Sequence, residues 1–142
     1  MRRHYTVEEA TKTLPYVRGI VAEICEAYRA IQELGCVHNA TPSGSEQERT
    51  DLRREIRERD QRLKECCEEL EQLGAELKDY DSGLVDFPAL LSGEEIFLCW
   101  RTGEETVGFW HDKKGGFAGR QPIPQDTPDW PSNVRVASAA RD

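Results

Sequence analysis

Apolar residues in the first third of the chain recur at alternating spacings of three and four. Val7, Ala10, Leu14, Val17, Val21, Ile24, Tyr28 and Ile31 form the seam of an amphipathic, heptad-like helix. The segment opens on Thr6-Val7-Glu8-Glu9, a capping box in which the Thr6 hydroxyl accepts from the third amide on and Glu9 reaches back to the Thr6 amide. Pro15 interrupts the pattern, but the seam keeps its phase across it, which predicts a kink and not a break. Gly35 to Ser45 reads as a loop, with Gly35 as the C-cap and Thr-Pro-Ser-Gly as breakers. A second helix is predicted from about Ser45 to Leu73 and is closed by Gly74. Its seam is Leu52, Ile56, Leu63, Cys66, Leu70 and Leu73, interrupted once by Arg59. Two helices of similar length with a loop between them pack antiparallel. Each buries a single stripe, so the hairpin needs either the rest of the chain or a second copy against it, and a homodimer is expected.

After Gly74 the period shortens. Leu84-Val85-Asp86-Phe87 reads as a strand stopped by Pro88, and Ser92-Gly93-Glu94 as a turn. Glu95 to Arg101 and Thr106 to His111 then read as a β-hairpin around Gly103. A two- or four-residue loop there pairs Arg101 with Thr106, Cys99 with Gly108 and Phe97 with Trp110. That register puts Ile96, Leu98, Trp100, Val107, Phe109 and His111 on the face toward the helices. Phe97, Cys99, Arg101, Thr106 and Trp110 fall on the other; an odd loop would flip one strand against its neighbour. The expected fold is therefore α+β: a long antiparallel, coiled-coil-like helical hairpin (about 6–74) followed by a small antiparallel sheet (about 75–123), together one domain over 1–123. The remainder, 124–142, is Pro-rich and polar and is expected to be a flexible tail.

Composition narrows the function classes. Of 142 residues, 37% are hydrophobic and 32% charged, which confines apolar groups to narrow stripes. The net charge of −8 opposes nucleic-acid binding, which needs a basic surface. No apolar run approaches the roughly 20 residues of a membrane span. The opening Met1-Arg2-Arg3-His4 is followed by Tyr5-Thr6-Val7-Glu8-Glu9 and not by a signal-peptide apolar region. A cytoplasmic protein that contacts neither membrane nor nucleic acid is expected. Five cysteines (Cys25, Cys36, Cys66, Cys67, Cys99) without a C-x-x-C pair fit reduced structural thiols better than a disulfide framework or a zinc ribbon.

Several segments carry a resemblance. Gly83-Leu-Val-Asp-Phe-Pro88, Leu98-Cys-Trp-Arg-Thr-Gly-Glu104, the Trp110-His111 pair and Gly116-Phe-Ala-Gly-Arg-Gln-Pro122 resemble motifs of a family of short prokaryotic proteins catalogued only as a domain of unknown function. The opening Tyr5 to Arg18 is similar to the start of that family. The resemblance spans roughly Tyr5 to Ile123 and implies a domain boundary, but it carries over no catalytic residue.

Candidate chemistry concentrates between Lys78 and Arg120. Lys78, Asp86, Arg101, Glu104, His111 and Arg120 are interleaved with Phe87, Trp100, Phe109, Trp110 and Phe117, the composition of a small-ligand pocket. Trp110 is the aromatic wall grouped with the charged set. Asp86 and His111 can act as an acid–base pair, since a carboxylate orients and charges a neighbouring imidazole. Arg120, on a glycine-rich loop, can hold a small anionic ligand, a carboxylate or a phosphate. The plainer reading makes Lys78–Asp86 and Arg101–Glu104 structural ion pairs. Cys99 and His111 fall on opposite faces in the register above and match no zinc spacing, so no metal and no cofactor is expected. No nucleophile elbow, Walker loop or dinucleotide fingerprint is present in the sequence.

Two readings follow. The first is a non-enzymatic assembly or interaction protein whose hairpin dimerises or docks a protein partner. The second is a ligand-binding protein or enzyme using Asp86, His111 and Arg120.

Overall fold

A computed structural model describes residues 3–131. Helix α1 spans Val7–Ala40 and α2 spans Glu46–Gln72. The strands are β1 (Glu76–Asp79), β2 (Leu84–Leu91), β3 (Glu94–Arg101), β4 (Phe109–His111) and β5 (Gln121–Pro122). They form one antiparallel meander in chain order, and a single turn of 3-10 helix, Phe117–Gly119, precedes β5. The chain is α+β, two mutually packed helices followed by a five-stranded sheet. No helix among the described residues is long and apolar enough to cross a membrane.

The capping box is formed: Thr6 Oγ1 accepts from Glu9 N at 3.2 Å, and Thr6 N donates to Glu9 Oε1 at 2.9 Å. Helix α1 continues through Pro15, as the unbroken phase of its seam required. It also continues past Gly35, which corrects the expected stop there. The terminator is Pro42, which pushes Thr41 into extended backbone (φ −77, ψ 128) and has no amide hydrogen of its own to continue the ladder. Three cross-helix contacts establish the antiparallel pairing: Tyr16 with Glu69, Glu23 with Arg62, and His38 with Arg53.

The core shows why α1 carries more apolar residues than its seam. Ala10, Leu14, Val17, Val21 and Ile24 are buried, and so are Ile20, Cys25 and Ala27, because α1 packs in one cluster with both α2 and the sheet. Helix α2 buries only Cys66 and Leu70. Beyond Ala27 on α1 and before Cys66 on α2, no residue of the hairpin is fully buried. That stretch, residues 28–65, is an arm extending past the core, its base anchored by Tyr28 stacked on Tyr80 at 5.3 Å and by Leu63 packed against the core cluster.

The sheet corrects three expectations. Strand β2 runs through Pro88 to Leu91. Proline is tolerated because β1 pairs only with Leu84 to Asp86, so the missing Pro88 amide faces an edge. There the Pro88 carbonyl accepts from Tyr5 N at 2.7 Å. The tight hairpin is β2–β3, turned by Ser92-Gly93 with φ of 52 and 86, the geometry of a two-residue primed turn. The link from β3 to β4, by contrast, is Thr102–Gly108, seven residues long. Its odd length shifts the register by one, pairing Phe97 with His111, Leu98 with Trp110 and Cys99 with Phe109. The extra residues drop Val107 into the core (2% exposed), and the Glu104 carbonyl accepts from Trp100 Nε1 at 2.9 Å.

Strand β4 is thereby flipped from the expected orientation. Val85, Phe87, Ala89, Ile96, Leu98 and Trp100 share the helix-facing core, with Trp110 packed against it. Leu84, Asp86, Pro88, Phe97, Cys99, Phe109 and His111 occupy the outer face.

The packed unit extends beyond Ile123. Trp130 is 4% exposed, belongs to the core and lies 5.6 Å from the Trp110 ring. The carbonyls of Trp130 and Pro128 accept from Val7 N (2.9 Å) and Glu8 N (2.7 Å). With Thr6 N on Glu9 Oε1 and Glu9 N on Thr6 Oγ1, all four amides that a helix start leaves unpaired are satisfied. Residues 124–131 are thus part of the domain; the rest of the expected tail, 132–142, lies outside the described residues.

Candidate functional site

The outer face of the sheet brings together residues the sequence could only align. Asp86 on β2 is directly opposite Cys99 on β3, whose other neighbour is Phe109 on β4; two positions further, Phe97 is opposite His111. Because side chains alternate along a strand, Asp86, Cys99 and His111 project to the same side. This corrects the expectation that Cys99 and His111 face apart; the physical reason is the odd loop. His111 is the site member that sequence reasoning misplaced, carried to the outer face with β4 while Cys99 stays on the side expected for it, and the parity of the Thr102–Gly108 link was the signal that mattered.

His111 Nε2 lies 2.9 Å from Asp86 Oδ2, and its Nδ1 lies 2.8 Å from the Asp112 carbonyl oxygen. A carbonyl can only accept, so Nδ1 carries a hydrogen. One further proton is then shared between Nε2 and the carboxylate, and the pair is net neutral whichever atom holds it. Asp86 is 2% and His111 5% exposed. Burial pushes the Asp86 carboxyl above its usual range, opposed by the hydrogen bond and charge of His111 and by Lys78, and reinforced by Glu76. Burial also pushes the Cys99 thiol up to about 12, helped by the Asp86 carboxylate and opposed by Arg120. A thiol so held stays protonated and is a poor nucleophile. The His111 ring stacks on Phe97 at 5.4 Å.

Arg120 sits at the far end of the segment that leaves β4. Its Nη2 bridges both carboxylate oxygens of Glu104 at 3.1 and 2.9 Å, and its guanidinium lies 3.9 Å from the Phe109 ring centroid. Asp112 organises the start of that segment by accepting from the amides of Lys114 (3.0 Å) and Gly115 (2.6 Å). The loop from Asp112 to Arg120 is thereby tied down at both ends.

The expected cluster therefore divides. Asp86 and His111 form one unit, Arg120 and Glu104 a second. Lys78 pairs with Glu76 at 2.8 Å and not with Asp86. Arg101 is exposed, and its backbone amide, not its guanidinium, is what donates to Glu104 Oε1 at 2.8 Å. Trp110 is on the inner face beside Trp130, away from the others. No three His, Cys, Asp or Glu among the described residues are grouped to hold a metal ion. Chemically, the outer face is a desolvated proton-sharing pair locked under its own chain.

A small α+β protein with a projecting helical arm and a sheet whose second strand is buried on both faces is the class these observations define. The sequence profile of DUF2203, a family described as an uncharacterized conserved protein, matches residues 3–123, and the chain belongs to that family. No curated protein and no solved structure matches the chain.

Proposed function

We propose that the protein acts non-enzymatically in the cytoplasm, as an assembly protein whose helical arm pairs with further copies of the same chain. The observation that carries this reading is where the core stops. The apolar repeat continues through Ile31, Leu34 and Val37 on α1 and Leu52 and Ile56 on α2, yet none of these is fully buried, and Val37 is 51% exposed. A two-helix arm has too little surface to cover its own seam, and a second hairpin laid on it makes a four-helix bundle. Residues 28–65 contain eight acidic and eight basic side chains (Arg29 and Glu33, plus seven of each sign from Glu46 to Glu65). The arm is thus neutral although the chain carries −8, so charge does not oppose its pairing. Five free cysteines, three of them buried, fit a reducing compartment.

The test is the mass of the native protein in solution by sedimentation or light scattering. A dimer or larger species is expected, and Val37→Glu should shift it toward monomer without lowering the melting temperature. A wild-type chain that stays monomeric at every concentration overturns the proposal.

A second reading, ligand binding or catalysis at Asp86, His111 and Arg120, rests on one observation: Asp86 Oδ1 is buried without a hydrogen-bond partner among the described residues. Under that reading Arg120→Ala folds normally and loses a bound small molecule that native mass spectrometry detects in the wild type. Under the first reading the wild type retains none.

A further inference from the structure

Helix α2 segregates its charges along the arm. Glu48, Asp51, Glu55 and Glu58 recur at spacings of three and four, and Arg49, Arg53 and Arg57 at four. With Leu52 as origin and about 100° per residue, the acidic set falls at about −40° to −120° and the basic set at about +60° to +140°. Helix α1 lies over the seam between them. On the acidic side, Val37 and Thr41 of α1 join Glu48, Asp51, Leu52, Glu55 and Glu58 in lining a groove of about 590 Å³, with Arg54 at its margin tied to Asp51 at 2.8 Å. On the basic side, Arg49 Nη1 donates to the carbonyls of His38 (3.2 Å) and Thr41 (3.0 Å) at the end of α1, Arg53 Nη1 is 3.3 Å from His38 Nε2, and Arg53 and Arg57 are exposed. The two-helix layer therefore has one acidic and one basic face.

We infer that the arm self-associates heterologously, the basic flank Arg53–Arg57 of one copy entering the acidic groove of the next. The inference rests on the proposed function and specifies its contact. The flank fits within the groove, about 6 Å from Arg53 to Arg57 against about 15 Å from Glu48 to Glu58 at 1.5 Å per residue. The two match in sign: with Asp51 held by Arg54, Glu48, Glu55 and Glu58 face the guanidinium groups of Arg53 and Arg57. The floor formed by Val37 and Leu52 takes the aliphatic stems of the arginines while their heads reach the acidic rim. Asp60 and Lys64, which also lie on the basic side, neutralise one another at 3.2 Å, and Glu46, at about +120°, lies on that side about two turns before Arg53. A two-fold contact between like faces would instead set carboxylate against carboxylate or guanidinium against guanidinium. Because the donating and accepting surfaces differ, each copy keeps one face open, and growth continues unless the rotation closes a ring.

The experiment uses the full chain and two variants, a groove variant (Glu55→Arg with Glu58→Arg) and a flank variant (Arg53→Glu with Arg57→Glu). Wild-type mass should fall with salt, the apparent dissociation constant rising about tenfold or more between 0.05 and 0.5 M as screening shortens. Each variant alone should run as a monomer, and equimolar mixing should restore association, since an intact flank then meets an intact groove. Variants that keep the wild-type mass, or a mixture that stays monomeric, overturn the heterologous contact while leaving self-association itself standing. A monomeric wild type defeats the proposed function as well. Should a double variant fail to fold by circular dichroism, Glu58→Arg alone with the salt series decides: unchanged mass in both overturns the inference.

Discussion

The carbonyl oxygen of Trp130 accepts a hydrogen bond from the amide of Val7 at 2.9 Å, so the last described residues of the chain cap its first helix. The family match ends at residue 123, but the fold does not. Trp130→Ala removes a side chain that is 4% exposed and should cost about 3–5 kcal/mol, the usual range for deleting a buried large aromatic. Truncation after Ile123 should cost at least as much, because it also strands two helix-start amides. Chemical denaturation measures both; a truncated chain as stable as the full one would refute this account of the tail.

The buried pair Asp86–His111 fixes a pH dependence. The folded carboxyl titrates above its unfolded value of about 3.9, because it is buried, although His111 and Lys78 partly offset that cost. Where the folded state binds the proton more tightly, the contribution to stability is fully present below the unfolded value and is lost as pH rises through the folded one. Asp86→Asn, which cannot titrate, should therefore cost least at high pH. The wild-type advantage measured by urea unfolding should shrink steadily above about pH 4. Asp86→Ala, by contrast, strands the imidazole and should cost about 3–5 kcal/mol.

Gly83 is held by its surroundings as well as by its backbone. Its φ is +71, and a Cβ there would collide with Thr102 Oγ1 and sit 2.9 Å from Val21 Cγ1. Gly83→Ala combines a left-handed backbone penalty with overpacking, and a loss of about 2–4 kcal/mol is expected. Gly93 has a similar φ of +86 but nothing within 4 Å. Gly93→Ala should cost about 1–2 kcal/mol from the backbone alone, and the difference in melting between the two variants isolates the steric part.

Thiol reactivity should rank with environment. Cys36 is exposed and should be alkylated first in the native state. Cys66 is buried, with its thiol pushed up to about 11 by desolvation and the neighbouring Glu23. Cys99, pushed up to about 12, should be modified last and only through opening of the sheet. Peptide mapping after timed alkylation reads the order, and early labelling of Cys99 would contradict the burial of the outer face.

Two helices, their antiparallel packing, the capping box at Thr6 and the switch to strands after Gly74 were all legible in the sequence. Each is written in residue spacing over a few turns or in a short local hydrogen-bond motif. Chain local chemistry also placed the turn at Ser92-Gly93. What the sequence misjudged depends on contacts between distant segments. Whether Gly35 ends α1 is decided by the stronger stop at Pro42, and whether Pro88 ends β2 is decided by the absence of a β1 partner beside it. The orientation of β4 hung on one residue of loop length, which flips every side chain after it. That length is set by Val107 and by the Trp100 contact to the Glu104 carbonyl, both tertiary. Trp130 lies in a segment whose composition is that of a loose tail, and only its docking on Trp110 and on the start of α1 makes it core. The sequence by itself thus determined the helical hairpin and the α+β order, because periodicity is a local property. Tertiary structure alone decided that Asp86, Cys99 and His111 share one buried face, because strand register is fixed by packing across the sheet and not along the chain.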